Sequence, residues 1–155
     1  MKVSPALAEF EVYFDSSAFD KAVNHFKRGA EEGVEAMGLL VGGVFEEDGG
    51  GFVMVSEYVT AENEAGAYSV KFREKAFSDL ASQLDGKLVV GWAHSHPGFG
   101  CYLSSIDVAT QKACFSEPFH VALVVDPKSG NSRVFKVEGE KYREASFAVV
   151  KTKNV

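Results

Sequence analysis

The sequence has few cysteines, no long apolar run and no basic segment. Its two cysteines, Cys101 and Cys114, are too few for a disulfide scaffold and lack the CxxC spacing of thiolate metal sites. No apolar stretch approaches the ~20 residues of a membrane span, and Met1–Ser4 opens no secretory signal. We therefore expect a cytoplasmic protein that does not enter a membrane. The net charge is −6, and without a basic cluster nucleic acid is a poor candidate partner.

The length and composition are those of one globular domain. The chain has 155 residues, of which 46% are hydrophobic and 25% charged, enough to form a single core. There is no linker, repeat or low-complexity segment. We predict one domain over residues 1–150 and a frayed tail over residues 151–155.

Hydrophobic periodicity predicts three helices interspersed with strands. The first helix follows an N-cap cluster at Asp15–Ser17 and ends near Gly29 or Gly33. The second carries an apolar stripe of Phe72, Ala76, Phe77, Leu80 and Leu84, and the third spans residues 105–115. Strands are predicted at 35–45, 52–60, 87–93, 119–125 and 133–137, with one more within 142–150. Residues 61–67 read as a loop. This order predicts an α/β domain with a mixed sheet.

Two of the four histidines lie in one short motif, WAHSHPGFGCYLSSIDVA. Side chains alternate in an extended segment, so His94 and His96 project from the same face and Ser95 from the other. A strand end of this kind presents two nitrogens to one metal ion. Taken alone, an HxH pair is more often a pair of hydrogen-bonded or surface histidines.

Ser104 and Asp107 are one turn apart at the head of the third helix. Taken alone, S-x-x-D before an apolar helical face indicates a capping box, which requires no chemistry. Together with the two histidines, Asp107 completes the ligand set of a catalytic zinc site, which has three protein ligands and an open fourth position. Such a metal lowers the pKa of bound water to about 7. Ser104 could then donate to the oxyanion that forms.

A general base must come from another segment, and Glu35 is the candidate. It stands at the start of an apolar strand, where a buried carboxylate is costly without a use or a partner. The alternative is that Glu35 ends the surface acidic run at Glu31–Glu32. Cys101 is interpreted as a small apolar filler of a tight loop. His25 and His120 have no partner in the sequence and are interpreted as structural.

These residues resemble the signature of the JAMM (MPN+) metalloproteases, HxH-x7-SxxD. The match consists of His94, His96, Ser104 and Asp107 at that spacing, and the upstream stretch EAMGLLVG from Glu35 resembles the family's glutamate-bearing strand. The segment GWAHSHPGFGCYLSSIDVATQ is similar in sequence to the deubiquitinase and deneddylase subunits of the proteasome lid and the COP9 signalosome. The resemblance covers residues 30–137.

The resemblance implies a single MPN domain with a curved mixed β-sheet flanked by helices, of the cytidine-deaminase-like type. It implies zinc-dependent hydrolysis of an isopeptide bond between the C-terminal glycine of ubiquitin, or a ubiquitin-like modifier, and a lysine. One Zn²⁺ would be held by His94, His96 and Asp107, with Glu35 as general acid/base and Ser104 as oxyanion donor. The last role is favoured over the capping box, although one serine could serve both. The implied partners are modifier conjugates and the proteasome.

The chain ends soon after residues 142–150, before the later insertion and C-terminal helices that tether the eukaryotic subunits, so we expect a freestanding enzyme or a simple homodimer. Residues 61–67 lie where relatives carry a segment that grips the modifier's tail. Two alternatives to the isopeptidase stay open. One is a peptidase that processes a small ubiquitin-fold sulfur carrier, with the same catalytic residues. The other is a non-catalytic scaffold, which an intact Glu35 disfavours because a structural metal site needs no base.

Overall fold

The computed structural model describes residues 9–47, 50–61 and 70–152. This part of the chain contains three helices and eight strands. The helices are α1 (Ser16–Glu31), α2 (Val70–Ala81) and α3 (Ser105–Cys114). The strands are β1 (Val12–Asp15), β2 (Met37–Glu47), β3 (Gly50–Ala61), β4 (Val89–Ser95), β5 (Val121–Asp126), β6 (Asn131–Glu138), β7 (Lys141–Ala145) and β8 (Phe147–Val150).

The eight strands form one mixed sheet in the order β7-β6-β5-β4-β2-β3-β1-β8. β1 runs parallel to both β3 and β8, and β4 runs parallel to β5. The remaining neighbours are antiparallel. The two outermost strands, β7 and β8, are consecutive in the chain and separated by Ser146 alone. The sheet must therefore curve until its edges meet at that residue, which confirms the predicted curved mixed sheet.

Alternation along the strands divides the core into two layers. Val121, Leu123 and Val125 of β5 pack into the layer beneath α1, together with Ala22 and Phe26 of that helix. Ala122 and Val124 of the same strand point to the opposite layer, where Phe77 of α2, Trp92 and Phe115 lie. Helices therefore cover both faces of the central strands. His94 follows Ala93 of the α1 layer and so faces the α2–α3 layer.

The predicted elements are present, and their differences from the prediction have local causes. The strand predicted at 87–93 continues through Ser95, because Ser95 pairs with Val125 of β5 and its N–H donates to the Ala36 carbonyl at 3.0 Å. Glu35 lies before β2 and does not open it. The single strand expected within 142–150 is two strands, because the chain turns the corner of the sheet at Ser146.

The N-cap prediction for α1 is half right. Asp15 is the N-cap residue, but its side chain makes no capping hydrogen bond. It instead accepts a hydrogen bond from the Ser17 hydroxyl at 2.8 Å. The predicted loop at 61–67 lies outside the described residues except for Ala61, which ends β3. Residues 151 and 152 follow β8 without regular structure. In the described ranges, none of the three helices has the length and apolarity that a membrane crossing requires.

Candidate metal centre

The two histidines of the HxH motif reach the same point from the end of a central strand. His94 lies within β4, between Met37 of β2 and Val124 of β5. His96 follows the strand, and its N–H donates to the Val125 carbonyl at 2.9 Å. Their Nε2 atoms are 3.0 Å apart. The predicted alternation is confirmed, since Ser95 points away and its hydroxyl accepts a hydrogen bond from the Ala36 N–H at 2.8 Å.

Asp107 enters the same site from the first turn of α3. The Ser104 hydroxyl accepts from the Asp107 N–H at 3.1 Å, and Asp107 Oδ2 accepts from the Ser104 N–H at 2.9 Å. This reciprocal pair is a complete capping box. The capping box that the S-x-x-D spacing indicates is therefore present, and the catalytic role of Ser104 stays a prediction. The two hydrogen bonds that cap the start of α3 therefore also fix the orientation of the Asp107 side chain.

Three ligand atoms converge with a spacing that suits zinc. Asp107 Oδ2 is 3.0 Å from His94 Nε2 and 3.2 Å from His96 Nε2. Ligands about 2.0–2.1 Å from a tetrahedral zinc ion are about 3.3 Å from one another. All three residues are buried, with His94 1% exposed and Asp107 fully covered. Among the described residues, these three side chains form a group that could hold a metal ion.

The electrostatics of the triad also favour a cation. Burial lowers the pKa of His94, which keeps its imidazole neutral and its lone pair available, although Asp107 opposes this shift. Burial alone would raise the pKa of Asp107, but His94, His96 and Arg73 lie against the carboxylate and hold its pKa well below the usual range. The result is a buried carboxylate beside two imidazole nitrogens, a borderline donor set of the kind that zinc prefers.

Aromatic packing orients the two imidazoles. The Trp92 ring stacks on the His94 ring with centroids 4.4 Å apart and an angle of 9°. The Tyr102 ring lies 4.9 Å from that of His96. Nδ1 of both histidines is buried and has no hydrogen-bond partner among the described residues. Ring contacts therefore fix the orientation of the two imidazoles, which a hydrogen bond from the second nitrogen does in many metal sites.

A buried arginine completes the surroundings of Asp107. Arg73 of α2 donates from Nη1 to Asp107 Oδ1 at 2.7 Å, and both side chains are almost wholly buried. Arg73 is not among the site residues predicted from the sequence. A signal was present, because Arg73 is four residues before Phe77 and seven before Leu80, on the apolar stripe of α2. A charged residue in such a stripe requires a buried partner.

Glu35 approaches the triad from the segment before β2. The hydrogen bonds between Ala36 and Ser95 place Glu35, the residue before Ala36, next to the strand end that carries both histidines. The carboxyl is half-buried, and burial raises its pKa against the opposing charges of His96 and Arg73, while Asp107 adds to the rise. The structure thus brings Glu35 to the predicted site. Its catalytic role stays a prediction.

The loop after His96 is held by Asp126, a second residue that is not among the predicted site residues. The Asp126 carboxylate, at the end of β5, accepts from the N–H groups of Gly98 at 2.8 Å and Gly100 at 3.1 Å. Both glycines have φ of +80°, which favours glycine. The carboxylate also accepts from Lys128 and Ser129 N–H groups. The sequence does contain a signal for this residue, because Asp126 places a carboxylate directly after the apolar run VALVV.

The remaining candidates have structural contacts, as predicted. His25 Nδ1 is 2.7 Å from the Tyr58 hydroxyl in the core, and His120 Nε2 is 3.0 Å from the Val89 carbonyl. The Cys101 thiol donates to the Asn131 carbonyl at 3.3 Å and packs against the α2–α3 layer. Among the described residues, Cys101 is not part of the ligand group.

Comparison with known proteins places this site in a family. Residues 9–116 match the sequence profile of the JAB1/Mov34/MPN/PAD-1 ubiquitin protease family. COP9 signalosome complex subunit 5 of Candida albicans is 36% identical over 127 residues, covering 74% of this chain and 20% of that protein. Subunit 5a of Arabidopsis thaliana is 36% identical over 128 residues, covering 75% and 33%. The 26S proteasome regulatory subunit RPN11 of Candida glabrata is 38% identical over 123 residues, covering 75% and 38%.

The chain thus spans between a fifth and two fifths of the length of these relatives. A solution structure of a Desulfitobacterium hafniense protein has the same fold, with a TM-score of 0.66 at 18% identity, covering 91% of this chain and 94% of that one. The family match includes β4, the loop after His96 and α3, which carry all three ligands. The chain belongs to the JAB1/Mov34/MPN/PAD-1 ubiquitin protease family.

Proposed function

We propose that this chain is a zinc-dependent isopeptidase that hydrolyses the bond between the C-terminal glycine of ubiquitin, or a ubiquitin-like modifier, and a target lysine. The observation that supports it is the convergence of His94 Nε2, His96 Nε2 and Asp107 Oδ2 within 3.0–3.2 Å of one another. Three protein ligands leave a fourth position, as in catalytic zinc sites. Glu35 beside this triad provides the base that a structural metal site does not need.

The proposed chemistry divides between the metal and the protein. A bound zinc ion would polarise the scissile carbonyl and make water acidic enough to attack at neutral pH. Glu35 takes a proton from the attacking water and delivers it to the departing lysine amine. Burial raises the pKa of Glu35, which makes the carboxylate a stronger acceptor for the proton of the attacking water. Water is thereby added across the C–N bond, giving a free carboxylate and a free amine.

The Ser104 hydroxyl can donate a hydrogen bond even though its oxygen caps α3. Its oxygen accepts the Asp107 N–H, and the hydroxyl retains its own proton. We propose that this hydroxyl donates a hydrogen bond to the oxygen of the scissile carbonyl as that oxygen becomes negatively charged. The capping bond then fixes the hydroxyl in place before the substrate arrives. One serine thus serves both helix and catalysis.

The test is cleavage of a panel of modifier conjugates by the purified, zinc-loaded protein. The panel contains ubiquitin, ubiquitin-like proteins and a ubiquitin-fold sulfur carrier, each joined through its C-terminal glycine to a reporter lysine. We expect cleavage of at least one member after that glycine, loss of activity with a chelator and recovery with zinc. Full activity in the chelator contradicts the metal mechanism. Bound zinc without cleavage of any conjugate supports the non-catalytic scaffold.

We further propose that the modifier's tail binds in an extended form beside the loop Pro97–Leu103. Asp126 holds this loop close behind His96, which leaves little room for side chains beside the scissile carbonyl. Conjugates ending in Gly-Gly, Gly-Ala and Ala-Ala test the proposal, and we expect the rate to fall in that order. Equal rates for the three tails would indicate a generic zinc peptidase.

A further inference from the structure

Arg73 is a buried cation with no part in the proposed proton transfers. Its side chain is 4% exposed and comes from α2, whereas the three ligands come from β4, the residue after it and α3. Burying a charge is costly unless the partner's geometry and hydrogen bonds compensate for lost solvation. Here the partner is the carboxylate of Asp107, a candidate metal ligand. The contact therefore bears on the metal centre.

The two oxygens of Asp107 have separate partners. Oδ2 faces both imidazole Nε2 atoms and accepts the Ser104 N–H. Oδ1 accepts from Arg73 Nη1 at 2.7 Å, a short, charge-assisted hydrogen bond. A carboxylate can bind a metal ion through one oxygen or through both. Binding through both would use a coordination position that a catalytic zinc ion needs for its reactants.

The guanidinium also contacts Thr110 and Trp92. Nη1 lies 3.4 Å from the Thr110 hydroxyl, whose proton is donated to the Ile106 carbonyl at 2.8 Å. Cζ lies over the Trp92 ring, 5.7 Å from its centroid, and that ring stacks on His94. Arg73 thus contacts one ligand directly and a second through Trp92. A lysine offers a compact ammonium in place of the planar guanidinium, so it would not lie over the Trp92 ring in the same way.

We propose that Arg73 is a positioning residue that restricts Asp107 to binding the metal through one oxygen and so keeps a coordination position open. The inference rests on the metal site of the proposed function and is independent of the substrate. It assigns to α2 a direct part in shaping the metal centre. The guanidinium acts through Asp107 and does not touch the reacting atoms.

The coordination number of Co²⁺ in the zinc site measures this effect without any substrate. Four-coordinate Co²⁺ absorbs visible light more strongly than five- or six-coordinate Co²⁺. The proteins to compare are the wild type, Arg73→Met, Arg73→Lys and the control Arg133→Met. Arg133 pairs with Glu144 at the same 2.7 Å but at the surface. All four are loaded with Co²⁺ to saturation and checked for folding by circular dichroism.

We expect the molar absorptivity of the visible bands to fall strongly in Arg73→Met, partly in Arg73→Lys and not at all in Arg133→Met. If Arg73→Met does not fold, the spectrum of Arg73→Lys decides. A wild-type spectrum in either folded Arg73 variant, or a wild type that binds no Co²⁺, overturns the proposal. Failure of the wild type to cleave any modifier conjugate would contradict the proposed function and leave the spectral result intact.

Discussion

The carboxylate of Asp126 accepts a hydrogen bond from the Gly98 N–H at 2.8 Å, which joins the end of β5 to the loop behind His96. Gly100, two residues further on, donates to the other oxygen of the same carboxylate. One buried carboxylate thus accepts hydrogen bonds from backbone N–H groups that are not paired within a strand or a helix. The loop beside the metal centre depends on it for its shape.

Replacing Asp126 by Ala should therefore destabilise the fold. Several backbone N–H groups lose a charged acceptor, and one such hydrogen bond contributes about 1.5–3 kcal/mol. Denaturant unfolding measures the loss. The control is Asp79→Ala, which removes an exposed carboxylate paired with Lys75 on α2 and should change the unfolding free energy by less than about 0.5 kcal/mol. Equal effects of the two variants would contradict the assigned role.

The contribution of Asp126 should also depend on pH. Burial opposes ionisation, but the backbone N–H groups, Gly98 first, lower the pKa of the carboxyl from 3.8 to about 2. Because the folded state has the lower pKa, the stabilisation is fully present above the unfolded value and is lost as the pH falls through the folded one. We expect the stability difference between wild type and Asp126→Ala to be constant near neutral pH and to shrink between pH 3.8 and about 2. A difference that grows over this interval would contradict the prediction.

Removing a metal ligand should have unequal effects on stability. His94→Ala and Asp107→Ala should both lose zinc, which elemental analysis measures. Without metal, Asp107→Ala should be the less stable of the two, because Arg73 loses the buried carboxylate that it contacts at 2.7 Å, and removing one partner of a buried ion pair costs about 3–5 kcal/mol. The double variant Asp107→Ala/Arg73→Met should recover part of that loss. No recovery would show that the ion pair does not account for it.

Glu35→Gln should keep the fold and the zinc while losing turnover. The amide is nearly isosteric but cannot accept the proton of the attacking water, so the rate should fall about 10²–10⁴-fold. The control is Glu57→Gln, whose carboxylate pairs with Lys87 at the surface and should leave the rate unchanged. Near-normal kcat in Glu35→Gln, with zinc bound, would rule out the general-base role.

Ser104→Ala should reduce both stability and rate, because the serine caps α3 and is proposed to donate to the oxyanion. The expected losses are about 1 kcal/mol for the cap and about 10²–10³-fold in kcat for the donor. Ser104→Thr keeps a hydroxyl and should retain most of both. A variant Ser104→Ala that lost stability alone would leave only the capping role.

The sequence was most informative where the site is local. His94 and His96 are two residues apart on one strand, and Ser104 and Asp107 are one turn apart on one helix, so alternation and helical spacing predict which atoms share a face. Glu35 was a harder case. Its position near the histidines depends on the pairing of β2 with β4, and 60 residues separate Glu35 from His96 in the chain; the resemblance to a known family supplied the link.

The contacts that were missed lie between elements. Arg73 and Asp107 come from different helices, and nothing in the spacing along either one indicates their pairing. The order of the strands in the sheet also depends on contacts between distant segments. β2 lies between β3 and β4, and β1 lies between β3 and β8. Such non-local pairings follow from the packing of the whole core, whereas periodicity reports only which face of each element is apolar.

The meeting of β7 and β8 at Ser146 has a consequence for the behaviour of the protein in concentrated solution. An open sheet exposes two edges, and each can add a strand from another molecule and seed aggregation. Here both edges come together at one corner, where the Ser146 carbonyl already accepts the Val12 N–H and Arg143 is paired with Glu11. The strands that border this corner have only five and four residues. The two edges are therefore short and meet at one corner, which limits the length of edge that a strand from another molecule could join.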